Sequence, residues 1–265
     1  MGDVPALRTG GAIGEALGAG GIATSASANT KGAYTQIIAA TARDYHALLL
    51  VASSTGAVVS TITLLVDIAI GAAGSEQVIV PNISLTAVSS IKISVGPLLI
   101  PIFIPAGSRV AVRAQASTGS RNVDIDVIGL AGYEQRGSGF GLATDYGSDT
   151  ANSTGTTVTS GAAGTKGSYA QLTASCNEVS YLIVMVNKGS ATATDYQLVD
   201  IAIGGAGSEQ IILPNLRSSQ TSSAGHLVPC LYGYPVKIPA GTRIAARIAF
   251  GQASKTAQIS CIGVA

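Results

Sequence analysis

Apolar and polar residues alternate in short runs along this chain, and the runs end at glycine, proline or clusters of serine and threonine. From Arg109 onward the alternation is regular. Arg109, Ala111 and Arg113 fall on one side, and Val110, Val112 and Ala114 on the other. Arg243, Ala245 and Arg247 stand against Ile244, Ala246 and Ile248 in the same way. A period of two predicts strands with one buried and one polar face. Leu64–Ile70, Ala47–Ser53 and Tyr181–Val186 are almost wholly apolar, and their length and flanking Gly, Ser and Thr favour buried strands over helix. Val123–Leu130 and Ala257–Val264 read as closing strands. About seven or eight strands follow for each half, with no long helix, so the expected class is all-β.

The pattern occurs twice because the sequence does. Asp67–Asn82 reads DIAIGAAGSEQVIVPN and Asp200–Asn215 reads DIAIGGAGSEQIILPN, identical at thirteen of sixteen positions. Thr30-Lys31-Gly32, Tyr34 and Gln36 match Thr165-Lys166-Gly167, Tyr169 and Gln171, and Ile104–Arg109 (IPAGSR) matches Ile238–Arg243 (IPAGTR). An internal duplication follows, and with it two tandem antiparallel β-sandwiches of jelly-roll type. Within the repeated stretch, Gly71–Gly74 predicts a turn between a strand ending at Ile70 and one from Glu76 to Val80, which Pro81-Asn82 should stop. Pro-Ala-Gly predicts a turn with Pro at its first central position.

The expected boundaries are an N-terminal arm over 1–19, one sandwich over 20–131, a linker over 132–154 and a second sandwich over 155–265. The arm is Gly-rich and weakly periodic, compatible with one helical turn around Ile13–Leu17, and is expected to order on a partner. The linker is rich in Gly, Ser, Thr and Asp. Ser84–Ser90 and Arg217–Gly225 differ between the copies and read as variable loops.

Composition narrows the function. Charged residues are 11% of the chain, against roughly 25% in an ordinary soluble domain. A surface so poor in charge predicts contact with other chains, hence a homo-oligomer. A net charge of +1 gives no reason to expect nucleic acid. Ala47–Val66 is long and apolar enough for a membrane span, but the second copy places Asn187, Lys188, Asp195 and Gln197 in the equivalent stretch, so no span is expected. The N-terminus does not read as a signal peptide. Cys176, Cys230 and Cys261 all fall in the second half, without CxxC spacing, and read as small buried residues.

The paired arginines are the most specific polar feature. Arg109 with Arg113, and Arg243 with Arg247, could grip an anion or bridge to carboxylates, with Asp124 and Asp126 as plausible partners. Asp67 with Glu76, and Asp200 with Glu209, have the composition of a glycosidase pair or a calcium site. Their duplication beside glycine turns favours capping a turn or answering an arginine. His46 and His226 occupy non-equivalent places and make no triad. Neither the glycines at 14, 18, 20 and 21 nor Gly137-Ser138-Gly139 has the strand–helix context of a nucleotide or nucleophile motif. Tyr232 and Tyr234 are the aromatic pair most suggestive of sugar stacking. No catalytic, cofactor or metal residue is expected, and the eight charged residues stand as structural or assembly candidates.

The DIAIGxAGSEQxIxPN stretch, followed by IPAG[ST]R opening an alternating strand in a chain rich in Gly, Ala, Ser and Thr, resembles β-sandwich structural proteins of tailed bacteriophage particles. Head-decoration, tail and fibre-associated proteins are of this kind. The resemblance spans both copies and implies a non-enzymatic virion component, assembled in the host cytoplasm with copies of itself and other virion proteins. The alternative is a module that binds a glycan or cell-surface ligand through the variable loops.

Overall fold

The structure, a computed structural model, describes residues 14–16, 21–54, 62–87, 94–131, 141–190, 192, 194–220 and 231–265. Each half forms the same pair of antiparallel sheets. In the first half the strands are β1 (Gly14–Ala16), β2 (Gly21–Thr24), β3 (Thr35–Ile38), β4 (Ala47–Ser54), β5 (Ile62–Ile70), β6 (Gln77–Ala87), β7 (Ser94–Ile100), β8 (Val110–Ala116) and β9 (Asn122–Leu130). One sheet runs β9-β4-β7, with β1 and β2 both on the free edge of β9, and the other runs β3-β8-β5-β6. Taking β1 and β2 as one interrupted strand, this is the jelly-roll order.

The second half repeats it with β10 (Ala143–Tyr146), β11 (Ser148–Asp149), β12 (Thr154–Thr159), β13 (Ala170–Thr173), β14 (Val179–Gly189), β15 (Asp195–Ile203), β16 (Gln210–Gln220), β17 (Leu231–Ile238), β18 (Ile244–Phe250) and β19 (Thr256–Val264). Its sheets run β12-β19-β14-β17, with β10 also on β19, and β13-β18-β15-β16. The equivalence holds residue by residue. Leu48 pairs with Gly129 as Leu182 pairs with Gly263, and Leu65 pairs with Ser84 as Leu198 pairs with Arg217.

Several sequence expectations need correction. Gly14–Ala16 is a strand rather than a helical turn, and it pairs with β9 as β10 pairs with β19. The repeat therefore reaches into the stretch read as an arm. Likewise β10, β11 and the start of β12 lie in the stretch read as linker, and β10 and β12 pair with β19. Short polar segments become strands here because a long closing strand offers them a free edge. Positions 1–13, 17–20 and 132–140 lie outside the described residues.

Pro81 does not end its strand. β6 continues to Ala87 through a bulge, where the partners shift from Val66↔Ile83 to Ile68↔Val80. β6 is an edge strand, where the missing proline N–H costs no ladder bond, and Asn82 absorbs the extra residue at φ 51°. The second copy repeats this at Asn215, with φ 52°. In the first Pro-Ala-Gly turn, Pro105 precedes the central pair: Ser108 N–H donates to its carbonyl at 3.3 Å, and Gly107 supplies φ 76°. Ser84–Ala87 and Arg217–Gln220 are strand, so the copies already diverge within β6 and β16. Residues 88–93 and 221–230 lie outside the described residues.

The second core lies between its two sheets, around Leu182, Val184, Ile201, Phe250 and Ile259. The first core lies around Leu48, Leu50, Val66, Ile100 and Val112, but it does not stop at its own sheets. Tyr181, Ile183, Met185, Ile262 and Val264, on the outer face of β14 and β19, belong to the same cluster. The jelly rolls therefore pack together, with β14, β19 and β10 of the second against β6 of the first and β17 against β7. Along β14 the alternation sorts the side chains: Leu182, Val184 and Val186 fill the second sandwich, and Tyr181, Ile183 and Met185 join the first core.

Candidate functional site

The repeated sixteen residues build one device twice. β5 carries Asp67 opposite the bulge in β6. The bulge releases the Asn82 N–H from the ladder, and Asp67 Oδ1 accepts it at 2.9 Å. The same oxygen accepts from Lys31 Nζ at 2.7 Å, and Oδ2 accepts from Arg113 Nε at 2.8 Å. In the second copy, Asp200 Oδ1 accepts from Asn215 N–H at 2.8 Å and Lys166 Nζ at 2.6 Å, and Oδ2 accepts from Arg247 Nε at 2.9 Å. Asp67 and Asp200 are buried, so their charges need these donors.

At the other end of the hairpin, Glu76 Oε2 caps the Gly74 N–H at 2.9 Å while Oε1 accepts from Arg109 Nη1 at 3.0 Å. Arg109 also donates to the Gly71 carbonyl at 3.1 Å and to Gln36 Oε1 at 2.9 Å. Glu209, Gly207, Arg243, Gly204 and Gln171 repeat all four contacts. The glycines are required: Gly71, Gly74, Gly204 and Gly207 have φ between 83° and 113°.

The eight candidate residues are thus brought together as two matched networks, and each carboxylate answers its own cation. The arginine partners are Asp67, Glu76, Asp200 and Glu209; Asp124 and Asp126, the partners expected from the sequence, lie on β9 in the other sheet. Lys31 and Lys166 were missed as members. The signal was present, since TKGxYxQ recurs, and its lysine, tyrosine and glutamine each have a task here. Lys31 meets Asp67, Gln36 meets Arg109, and the Tyr34 ring lies 4.6 Å under the Arg113 guanidinium, as Tyr169 lies 4.7 Å under Arg247.

Electrostatics agree with a structural assignment. Burial pushes Asp200 upward, but the Lys166, Asn215 and Arg247 hydrogen bonds outweigh it and hold the carboxyl below its ordinary value. Glu76 and Glu209 are lowered by backbone hydrogen bonds first and by their arginines further. Lys31 and Lys166 are lowered by burial, only partly offset by their aspartates. Among the described residues, no three of His, Cys, Asp and Glu gather as a metal site, and no helix is long and apolar enough to cross a membrane.

The other candidates fall elsewhere. His46 packs its ring 5.4 Å from Phe103. Cys176 and Cys261 are buried free thiols, both pushed up by burial. Tyr232 and Tyr234 stack at 6.4 Å, and the Tyr232 hydroxyl donates to the Arg217 carbonyl. His226, Cys230 and the 137–139 tripeptide lie outside the described residues.

The polar contacts of the seam surround the first network. Asn82 Nδ2 donates to Asp145 Oδ2 at 2.9 Å, and Gln115 Nε2 donates to Ser153 Oγ at 3.0 Å. The Ser84 N–H, on the free edge of β6, points to Met185 Sδ at 3.1 Å, and Asn187 Nδ2 donates to Ser84 Oγ. Burial raises Asp145, and its bonds to Ser148 and Asn82 only partly counter this.

No protein-family model matches the chain, and no curated protein matches it. Among solved structures it is similar to the tandem CBM22-1–CBM22-2 domain of Paenibacillus barcinonensis Xyn10C, with 10% identity over 95% of this chain and 92% of that one and a TM-score of 0.27. Two tandem antiparallel β-sandwiches are the fold of this chain.

Proposed function

We propose that this chain is a non-enzymatic assembly protein, a structural component of a virus particle, acting through its sheet faces rather than through a reactive site. One observation carries the reading: all eight charged residues that could have formed a reactive centre are consumed in two identical internal networks, while the broad face of one jelly roll is used to hold another. A protein whose ionic groups lock its own hairpins and whose apolar faces make the contacts is built to be stacked. Jelly rolls serve capsids and lectins alike, so the fold by itself does not choose between them.

A glycan-binding reading has its own observation. Tyr196 is 59% exposed on the outer face of β15, with the Arg217 guanidinium 4.3 Å over its ring. An exposed ring beside a hydrogen-bond donor is a platform on which a sugar could stack.

Density-gradient fractionation of particles from the native source, probed with antiserum to this chain, tests the assembly role. The chain should sediment with intact particles in fixed stoichiometry. Recovery solely at the top of the gradient, with oligosaccharide binding that Tyr196→Ala abolishes, would establish the glycan reading instead.

A further inference from the structure

The two networks differ in what lies over them. In the first, Lys31 Nζ donates to Asn82 Oδ1 at 2.8 Å, and Asn82 Nδ2 donates in turn to Asp145 Oδ2 at 2.9 Å. Ser148 Oγ donates to the other oxygen of Asp145 at 2.7 Å. Asp145 comes from β10, which packs over β6. A carboxylate from the second half therefore caps the first network, with Asn82 as the link. Lys31, lowered by burial first, is drawn back up by Asp67 and, less, by Asp145.

The second network has the same link and no cap. Asn215 sits at φ 52° where Asn82 sits at φ 51°, and its N–H meets Asp200 as that of Asn82 meets Asp67. Lys166 Nζ, however, turns to the Leu198 carbonyl at 2.9 Å. The Asn215 side-chain amide is exposed and has no partner among the described residues. Nor, among them, does any strand pack over β16 as β10 packs over β6. Leu65 is 0% exposed, whereas Leu198 at the same register position is 36% exposed. The residue two beyond the asparagine changes too, from buried Ser84 to exposed Arg217. Lys166, Arg217 and Arg247 thus face outward against Asp200, three cations to one carboxylate, beside an apolar residue left open.

We infer that this open network is a socket for a carboxylate side chain on an acidic segment of another protein of the particle. Asn215 Nδ2 donates to that carboxylate as Asn82 Nδ2 donates to Asp145, Arg217 adds a charged donor, and Leu198 packs against the segment. The first network shows that the same backbone, lysine and asparagine accept such a group. The inference rests on the proposed assembly role and names the chemistry of the partner. The partner is a different protein. In the first half Ala16 holds the place of Asp145, opposite Ile128 as Asp145 is opposite Ile262, so a second copy presenting that strand brings no carboxylate. Opposite charges across the contact fix its orientation.

The chain contains its own probe. A synthetic fourteen-residue peptide with the sequence Gly141–Thr154 carries Asp145 and Ser148. Titrated into the isotope-labelled full chain, whose first network keeps its own cap, it should shift the Asn215 side-chain amide resonances saturably. The same peptide with Asp145→Asn should bind about tenfold more weakly, as should the wild-type peptide to an Asn215→Gly chain. Glycine removes the amide and keeps both the bulge N–H and a residue at ease at φ 52°. Arg217→Ser, which restores the residue of the first copy, should weaken binding and flatten its salt dependence. No shift of the Asn215 amide at about 1 mM peptide overturns the socket, as do equal affinities for the two peptides. A wild type that sediments with particles but gives no shift removes the socket and leaves the assembly role standing. One that binds the peptide but never sediments with particles does the reverse. Shifts at Tyr196 with a neutral oligosaccharide, and none with the peptide, overturn the socket and assign the face to a glycan.

Discussion

Replacing Asp200 with alanine removes the acceptor on which three donors converge: Lys166, Arg247 and the Asn215 N–H at the β16 bulge. A hydrogen bond to a charged group contributes about 1.5–3 kcal/mol net. Simple addition would overstate the loss, because the Lys166 and Arg247 side chains are 18% and 29% exposed, and water recovers part of their charge. The bulge N–H has no such recourse and costs about 1–3 kcal/mol if left unpaired. The expected loss is therefore about 3–5 kcal/mol, the range for breaking a buried pair from one side. Urea midpoints at constant m-value would read it directly, and calorimetry should show a fall on the order of 10 °C. Asp200→Asn keeps an acceptor for the bulge and should fall between. The duplication supplies an internal control. Lys31 and Arg113 are 19% and 30% exposed, nearly the values of their counterparts, so Asp67→Ala should cost much the same. A loss below about 1 kcal/mol at Asp200 is what an exposed ion pair gives, and it would refute the assignment of this aspartate as the clamp of the bulge.

Three further outcomes follow from the same geometry. A Cβ on Gly32 would lie 1.8 Å from the Thr24 carbonyl oxygen, and one on Gly167 1.9 Å from that of Thr159, so each Gly→Ala change should destabilise by about 3 kcal/mol or more in thermal melts. Asp200, Glu76 and Glu209 are held below their ordinary values, so their stabilisation is complete above the ordinary carboxylate range and is lost as pH falls through the depressed values. Asp145, shifted upward, acts with the opposite sign but is one group against three, so the melting temperature should drop on acidification below about pH 5; a flat profile would contradict the network. Iodoacetamide on the native chain, read by mass spectrometry, should leave Cys176 and Cys261 unmodified, and labelling them should require denaturant.

The parts of this fold that were legible in the sequence are those where the two copies agree. The DIAIG stretch, the IPAG turn and the alternation after Arg109 fixed a duplicated all-β chain, because agreement between the copies records what the fold itself demands. The misreadings have physical causes. Pro81 looked like a stop because the sequence does not say that its strand lies at an edge. Gly14–Ala16 and Ala143–Tyr146 looked like arm and linker because their pairing is supplied by β9 and β19, more than a hundred residues away. Arg217 against Ser84 looked like loop divergence, yet both residues are in strands. They differ because Ser84 is covered by the second copy and Arg217 is on an open face. The network around Asp67 was half legible: its arginine was named, whereas its lysine, thirty-six residues earlier, was seen only as part of the repeat.

The continuity of the first core into the second jelly roll has a consequence for how the chain is made. Synthesis runs from the N-terminus, and domains tend to fold as they emerge. The first jelly roll is complete at Leu130, and at that moment Ser84 on β6 lacks the Met185 and Asn187 that lie against it in the finished chain. The strands that will cover β6 there, β14 and β19, are separated in the chain by β15 to β18. The nascent first half therefore presents a ready surface for as long as translation of the second takes, and the second half matures on it as on a template. The seam closes only once β19, with Ile262 and Val264, has been made.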